Sequence, residues 1–177
     1  MAKFDTIETK RLLLRRPTPA DNATMEALFG DPEVMRLYGS GRTYTPAELP
    51  EIVALIHRHY EQYGYGIHMV SLKETGATIG LGGLSHALIS PDVQIGGVLV
   101  KSSWNLGYAV ESGSALLRFG LDTLKLERIE ANTPVGNAAA IAVSQRLGMV
   151  YEGVVTHQGQ DYARFAALGS PSKGLSR

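Results

Sequence analysis

Residues 102–120 read SSWNLGYAVESGSALLRFG, and the stretch changes character halfway along. WNLGYA is short and bent around a glycine, whereas VESGSALLRFG repeats small or apolar residues at helical spacing. Directly before it lies VQIGGVLV (93–100), an apolar run with the composition of a strand. A strand, a glycine turn and a helix start gather the unpaired N–H groups of Gly107, Tyr108 and Ala109 at one point. Such a junction is a place to hold a phosphate. Glu111, in the first helical turn, suits the positive end of the helix dipole.

Working outward, the same helix places Ala109, Gly113, Leu116, Gly120 and Leu124 on one face. Two glycines there imply a backbone pressed close to a sheet, since each costs about 1 kcal/mol against alanine. ERIEANT (127–133) reads as the next strand. Asn137 then caps the helix AAAIAVSQRL, which Gly148 ends. MVYEGVV and DYARFAAL form a closing hairpin around THQGQ. Upstream, KRLLLRR (10–16) reads as a strand, and Thr18-Pro19-Ala20-Asp21 has the form of a capping box for a helix running to about Phe29. Thr45-Pro46-Ala47-Glu48 repeats that pattern before a helix whose stripe is Leu49, Val53, Ile56, Tyr60 and Tyr63. GIHMVSL and ATIGLGGLSHAL flank the turn KETG.

With 177 residues and no repeat or linker, one domain over 1–168 with a disordered tail at 169–177 is expected. Lys and Arg number 17 and Asp and Glu number 17, so no global basic field recruits nucleic acid or an anionic membrane. The absence of cysteine excludes disulfides, thiolate metal sites and a cysteine nucleophile. The first residues lack an apolar signal core, and no run is long enough to span a bilayer, which predicts a cytoplasmic protein. GLGGLS at Gly80 mimics a dinucleotide fingerprint but sits in a hairpin with no helix after it, and no Walker-type lysine loop is present. His57 and His59 are two apart on a helix and cannot share a face, so no metal is expected. Tyr60, Tyr63 and Tyr65 read as packing.

Four segments together resemble the GNAT superfamily of N-acetyltransferases, in the branch of the ribosomal-protein N-terminal (alanine/serine) acetyltransferases: TKRLLLRRPTPAD, GYGIHMVSLKETGATIGLGGL, VQIGGVLVKSSWNLGYAVES and RIEANTPVGNAAAIAVSQRLGMVYEG. They run from about residue 9 to 153. The branch's turn, Trp-Gly-x-Gly-Tyr-Ala-x-Glu, is matched by Trp104, Gly107, Tyr108, Ala109 and Glu111. Its Asn-initiated helix ending in Leu-Gly-Phe is matched by Asn137, Leu147 and Gly148. The resemblance implies an α+β fold, with a mixed, mostly antiparallel, splayed sheet of about six to seven strands and about four helices. It also implies an acyltransferase with acetyl-CoA as co-substrate and no metal. Leu99, Val100, Trp104, Asn105, Leu106, Gly107, Tyr108, Ala109 and Asn137 would bind that co-substrate.

Chemistry is then expected at the Gly97 and Val98 amides as oxyanion donors and at Gln94, which stands where many relatives carry a glutamate base. An amide cannot take that proton at neutral pH, which leaves ordered water, with His68 or His86 as helpers or merely packed strand residues. Ser144 stands where many members place a tyrosine that protonates the CoA thiolate. Its alternative is back-bonding within its own helix. The acceptor is expected near YGSGRTYT, with Arg42 or Tyr44 recognising it, beside a short closing hairpin. The implied reaction is direct transfer to a primary amine, of a protein N-terminus or of a polyamine, amino acid or antibiotic. A non-catalytic acyl-CoA-binding module is the rival, and a monomer or homodimer the expected state.

Overall fold

The computed structural model describes residues 6–36, 38–39, 41–86 and 89–170. Among the described residues eight strands form one sheet: β1 (Thr6–Glu8), β2 (Leu12–Arg15), β3 (Ile67–Leu72), β4 (Thr78–His86), β5 (Val93–Leu99), β6 (Arg128–Pro134), β7 (Val150–His157) and β8 (Gln160–Leu168). Their order is β1-β2-β3-β4-β5-β6-β8-β7, and among the described residues only the β5–β6 pair is parallel. The helices are α1 (Asn22–Gly30), α2 (Pro32–Met35), α3 (Leu49–Tyr63), α4 (Tyr108–Arg118) and α5 (Ala138–Arg146). Eight strands and five helices exceed the expected count because Thr6–Glu8 pairs with β2 and because Asp31 starts the extra short helix. The Asp31 carboxylate accepts the Glu33 N–H at 2.8 Å and the Val34 N–H at 3.3 Å. Among the described residues no helix is long and apolar enough to cross a membrane.

The two proline-containing caps form as the spacing predicts, each one turn earlier than its α-helix. Pro19–Asp21 is a 3₁₀ turn before α1, and Asp21 accepts the Thr18 N–H at 2.8 Å and an Arg15 bond at 2.6 Å. At the second, Glu48 accepts the Thr45 N–H at 2.8 Å and α3 begins at Leu49. The face of α3 set by Leu49, Ile56 and Tyr60 packs with Met25, Leu28 and Phe29 of α1 against Met69, Leu81 and Val98 of the sheet. On the opposite face Leu116 and Leu117 of α4 cover Leu14, Val70, Ile95, Leu84 and Ile129.

The glycines of α4 are explained by close packing, as the sequence implies. A Cβ on Gly120, in the π turn that extends α4, would lie 2.8 Å from Leu84 Cδ1 of the sheet. Gly113 is tight for another reason: its Cβ would meet Leu147 Cδ1, just past α5, at 2.9 Å. Asn137 caps α5 by accepting the Ala140 N–H at 3.1 Å, and Gly148 leaves the helix at φ 74°. Of the expected tail, Gly169 is part of the packed body, its N–H donating to the Glu127 carbonyl at 2.9 Å. Pro171–Arg177 lie outside the described residues.

Candidate cofactor and acceptor cleft

Strand β5 pairs with β4 from Val93 to Leu99, but with β6 only at Val93↔Ile129 and Gln94↔Glu130. Beyond Gln94 the parallel strands part, and a wedge opens in mid-sheet. Gly96 and Gly97 are therefore exposed although they lie at the middle of an eight-stranded sheet. A Cβ on Gly96 would meet no atom within 4 Å, so that residue borders open space. At Gly97 a Cβ would come within 2.8 Å of the Leu81 carbonyl, and only glycine lets β4 and β5 lie so close.

The direction of each amide follows from the ladder. The Val100 N–H donates to the Ile79 carbonyl at 2.8 Å, and the register runs unbroken from Gly80↔Leu99 to His86↔Val93. Antiparallel alternation then turns the Val98 N–H toward Leu81 and leaves those of Gly97 and Leu99 facing the wedge. The Leu99 carbonyl on that side accepts the Trp104 indole N–H at 2.8 Å, which folds the turn back over the end of β5.

The turn itself uses two left-handed residues, Asn105 at φ 60° and Gly107 at φ 81°. Its first helical bond runs from the Glu111 N–H to the Gly107 carbonyl at 3.0 Å, so the preceding amides start α4 without intrahelical partners. Arg11, from the loop before β2, braces this junction. Its Nη1 donates to the Leu106 carbonyl at 3.0 Å, its Nε to Glu111 at 2.6 Å, and its guanidinium lies 4.3 Å from the Tyr108 ring centroid. Arg11 Nη2 is also the one atom near Gly107, 3.4 Å from where a Cβ would stand. Glu111 accepts further from the Thr9 hydroxyl at 2.6 Å and the Arg11 N–H at 2.7 Å. Burial pushes its carboxyl up, but these donors prevail and hold it below the usual range. Glu111 thus ties the N-terminal segment to α4, a partnership no local pattern reveals.

A second group of charges closes the foot of the wedge. Glu130, 1% exposed, accepts from Arg128 Nη2 at 2.7 Å and from Asn132 Nδ2 at 3.2 Å, with Arg164 Nε at 3.4 Å. Arg128 also reaches Asp92 at 3.0 Å and Glu152 at 2.9 Å. Burial pushes the Glu130 carboxyl up, yet the hydrogen bonds from Arg128 and Asn132 hold it below the usual range. This carboxylate lies next to Gln94 on the neighbouring strand but is committed to cations, so it cannot serve as the missing base. Gln94 is 9% exposed, and its Nε2 is buried without a hydrogen-bond partner.

The other expected residues fall as follows. Asn137 starts α5 just past the end of β6, on the far wall of the wedge, with its side chain occupied as a cap. Ser144 is buried and donates to the Ala140 carbonyl at 3.3 Å, the back-bonding alternative. His68 is enclosed between the Tyr60 and Phe119 rings, and His86 lies 3.2 Å from the Tyr65 hydroxyl and 4.3 Å from the Tyr63 ring centroid. Arg42 pairs with Glu48 at 2.7 Å and covers the Tyr44 ring at 4.0 Å, bracing the segment before α3. His59 is half-buried, its ring packed 4.6 Å from the Tyr63 ring centroid, and burial lowers its pKa. A groove of about 540 Å³, lined by Leu117, Leu121, Leu147 and Leu168 with Arg118 and Asp122, lies toward the far edge of the sheet and shares only Glu152 with the charges at the foot of the wedge.

Residues 11–150 match the family model described as an acetyltransferase (GNAT) domain. The chain is 29% identical over 157 residues to the uncharacterized N-acetyltransferase YoaA of Bacillus subtilis, covering 86% of each chain. Its fold matches the crystal structure of an acetyltransferase from Agrobacterium tumefaciens with a TM-score of 0.80 at 25% identity, covering 92% of this chain and 93% of that one. It also matches a ribosomal-protein-S5-alanine acetyltransferase from Vibrio fischeri, with a TM-score of 0.78 at 16% identity over 94% of this chain and 97% of that one.

Proposed function

Given that the chain belongs to the GNAT acetyltransferase family and is an N-acetyltransferase, we propose that it acetylates the α-amine of a peptide or protein N-terminus, by direct attack within a ternary complex. The observation that carries the site is the parting of β5 and β6 after Gln94, with the glycine turn at the end of the same strand. The residues present fit acetyl-CoA. Open space beside Gly96 admits a narrow chain, the wedge-facing amides of Gly97 and Leu99 lie along it, and the N-terminus of α4 offers orphan donors for a pyrophosphate. The turn carries no charged residue between Trp104 and Gly107, and Arg11, paired with Glu111, brings a guanidinium beside it from the N-terminal segment.

On this reading the acceptor arrives as a neutral amine and its nitrogen bonds to the thioester carbonyl carbon. The C–S bond breaks, and the proton lost by nitrogen ends on the departing thiolate by way of water. The Gly97 N–H supports the oxygen as charge develops, a role worth about 3–4 kcal/mol for one donor where it has been measured. Val98, turned toward β4, holds the strand rather than the oxygen. Gln94 provides no base, so the rising limb of kcat/KM should follow the pKa of the acceptor itself, near 8 for a peptide amine and about 10.4 for a lysine. The support for a protein N-terminus is the resemblance of the Trp104–Glu111 turn to that of the ribosomal-protein branch and the exposed wedge, which leaves room for a flexible chain.

The test is CoA release from acetyl-CoA with N-terminal peptides, polyamines and free amino acids as acceptors across pH 6 to 10. Release with peptides, on a limb that moves with the acceptor, is expected. Preference for a polyamine would overturn the acceptor assignment, and a limb indifferent to the acceptor would mean an enzyme base.

A further inference from the structure

We infer that Gln94 is a specificity residue that donates, through Nε2–H, to a carbonyl or carboxylate oxygen on the carbon next to the acceptor's amine. This rests on the acetyl-transfer reading and names the chemistry its acceptor must carry. Gln94 is the last residue of β5 paired to β6, and its side chain lies on the face of the sheet shared with Val98. It is nine-tenths buried, and its Nε2 has no hydrogen-bond partner among the described residues. A buried donor without a partner is costly, and native proteins retain few of them unless a ligand completes the bond.

The surroundings decide which ligand atom fits. Two residues on along the same face is Gly96, where no side chain stands and a Cβ would meet nothing within 4 Å. Across the foot of the wedge Glu130 is paired with Gln94, followed on its own strand by Asn132, with Arg164 alongside on β8. The acceptor atoms of this group are occupied. Glu130 takes bonds from Arg128 and Asn132, and Asn132 Oδ1 takes Arg164 Nε at 3.2 Å. Among the described residues, Nε is the one nitrogen of Arg164 engaged in that group, so its remaining N–H groups add to the donor surplus. A wall of surplus donors complements an oxygen beside the amine, as in a peptide or an amino acid. A second ammonium, as in a polyamine, can only donate and meets Glu130 and Asn132 oxygens that already accept from Arg128, Asn132 and Arg164. Glutamate at position 94 would reverse that preference, because a carboxylate accepts and does not donate when ionised.

The experiment compares the wild type with Gln94→Met, which keeps the length of the side chain and removes the donor, and with Gln94→Glu. The acceptors are an alanine-initiated peptide, free alanine and 1,3-diaminopropane, with kcat/KM taken on the pH plateau of each. The wild type should prefer the peptide or alanine, and the ratio of either over the diamine should fall at least tenfold in Gln94→Met, chiefly through KM. In Gln94→Glu it should fall further. The peptide and free-alanine arms distinguish a carbonyl from a carboxylate ligand. A ratio unchanged in both variants, or a wild-type preference for the diamine, overturns the inference. An acetyl-CoA-dependent rise in Tm in every variant shows that the fold and the co-substrate site survive. Absence of that rise in the wild type would instead sink the acetyl-transfer reading. If turnover is absent with all acceptors, calorimetry of the peptide on the CoA-saturated protein decides, and equal affinity for wild type and Gln94→Met refutes the role.

Discussion

Arg11 and Glu111, one hundred residues apart, meet at 2.6 Å and fasten the N-terminal segment to the first turn of α4. The same guanidinium holds the Leu106 carbonyl and stands beside Gly107, so one side chain links the sheet edge, the glycine turn and the helix start.

Replacing it should therefore be felt by the part of the co-substrate that carries charge. Arg11→Gln is expected to raise KM for acetyl-CoA about tenfold, the loss of one charge-assisted bond of ~1.5 kcal/mol. S-acetylpantetheine, which lacks the pyrophosphate, should lose far less. Steady-state kinetics with both donors checks this, and an equal loss for both would make Arg11 a purely structural brace.

Neighbouring glycines of β5 should answer differently to the same change. Gly96→Ala places a methyl in open space, so Tm should stay within about 2 °C, consistent with a surface change within ±0.5 kcal/mol. Because that space is the wedge, kcat/KM should nonetheless fall tenfold or more. Gly97→Ala drives its methyl into the Leu81 carbonyl and should lower Tm by several degrees, for an overpacking cost of ~1–3 kcal/mol. Thermal melts beside initial rates separate the two, and an active Gly96→Ala would show that catalysis takes place elsewhere.

The Glu130 cluster sets an acid limit on stability. Its carboxyl is depressed in the folded state, so the stability it contributes is present above the unfolded carboxylate pKa and lost as pH falls through the folded value. Glu130→Gln, which leaves Arg128 and Arg164 without their buried counter-ion, should cost about 3 kcal/mol at pH 7. The gap between wild type and variant should narrow steadily below about pH 4.3, where an unfolded glutamate begins to protonate. Urea unfolding at pH 7, 5 and 3 measures it, and a gap independent of pH would assign the effect to packing.

Ser144 offers a sharp negative test. Its hydroxyl already bonds the Ala140 carbonyl inside α5, and the proposed mechanism gives it no proton to transfer. Ser144→Ala should keep kcat within about threefold of wild type, whereas loss of a general acid typically costs 10²–10⁴. A drop of that size would restore it as the donor to the thiolate.

How much of this was legible beforehand depends on the range of each interaction. Asn137 at the start of α5, the KETG hairpin and the glycine turn before α4 were readable because caps and turns are decided by residues a few positions apart. The apolar run of β5 and the stripe of α3 were readable for the same reason, since periodicity is local. Thr6–Glu8 was not, because three residues carry too little pattern to mark a strand without the partner that hydrogen-bonds them.

The sequence by itself determined the order of the longer elements, the family and the turn that begins α4, which follow from short-range backbone preferences and from the spacing of motifs. The tertiary structure alone decided that β6 leaves β5 after Gln94, that Arg11 rather than a residue of the turn brings the positive charge to Gly107, and that Glu130 is neutralised by arginines from β6 and β8. Apart from the Arg128–Glu130 pair, two residues apart on β6, those are contacts between segments 34 to 100 residues apart, and a charge acts through distance in space, which the chain's own order does not encode.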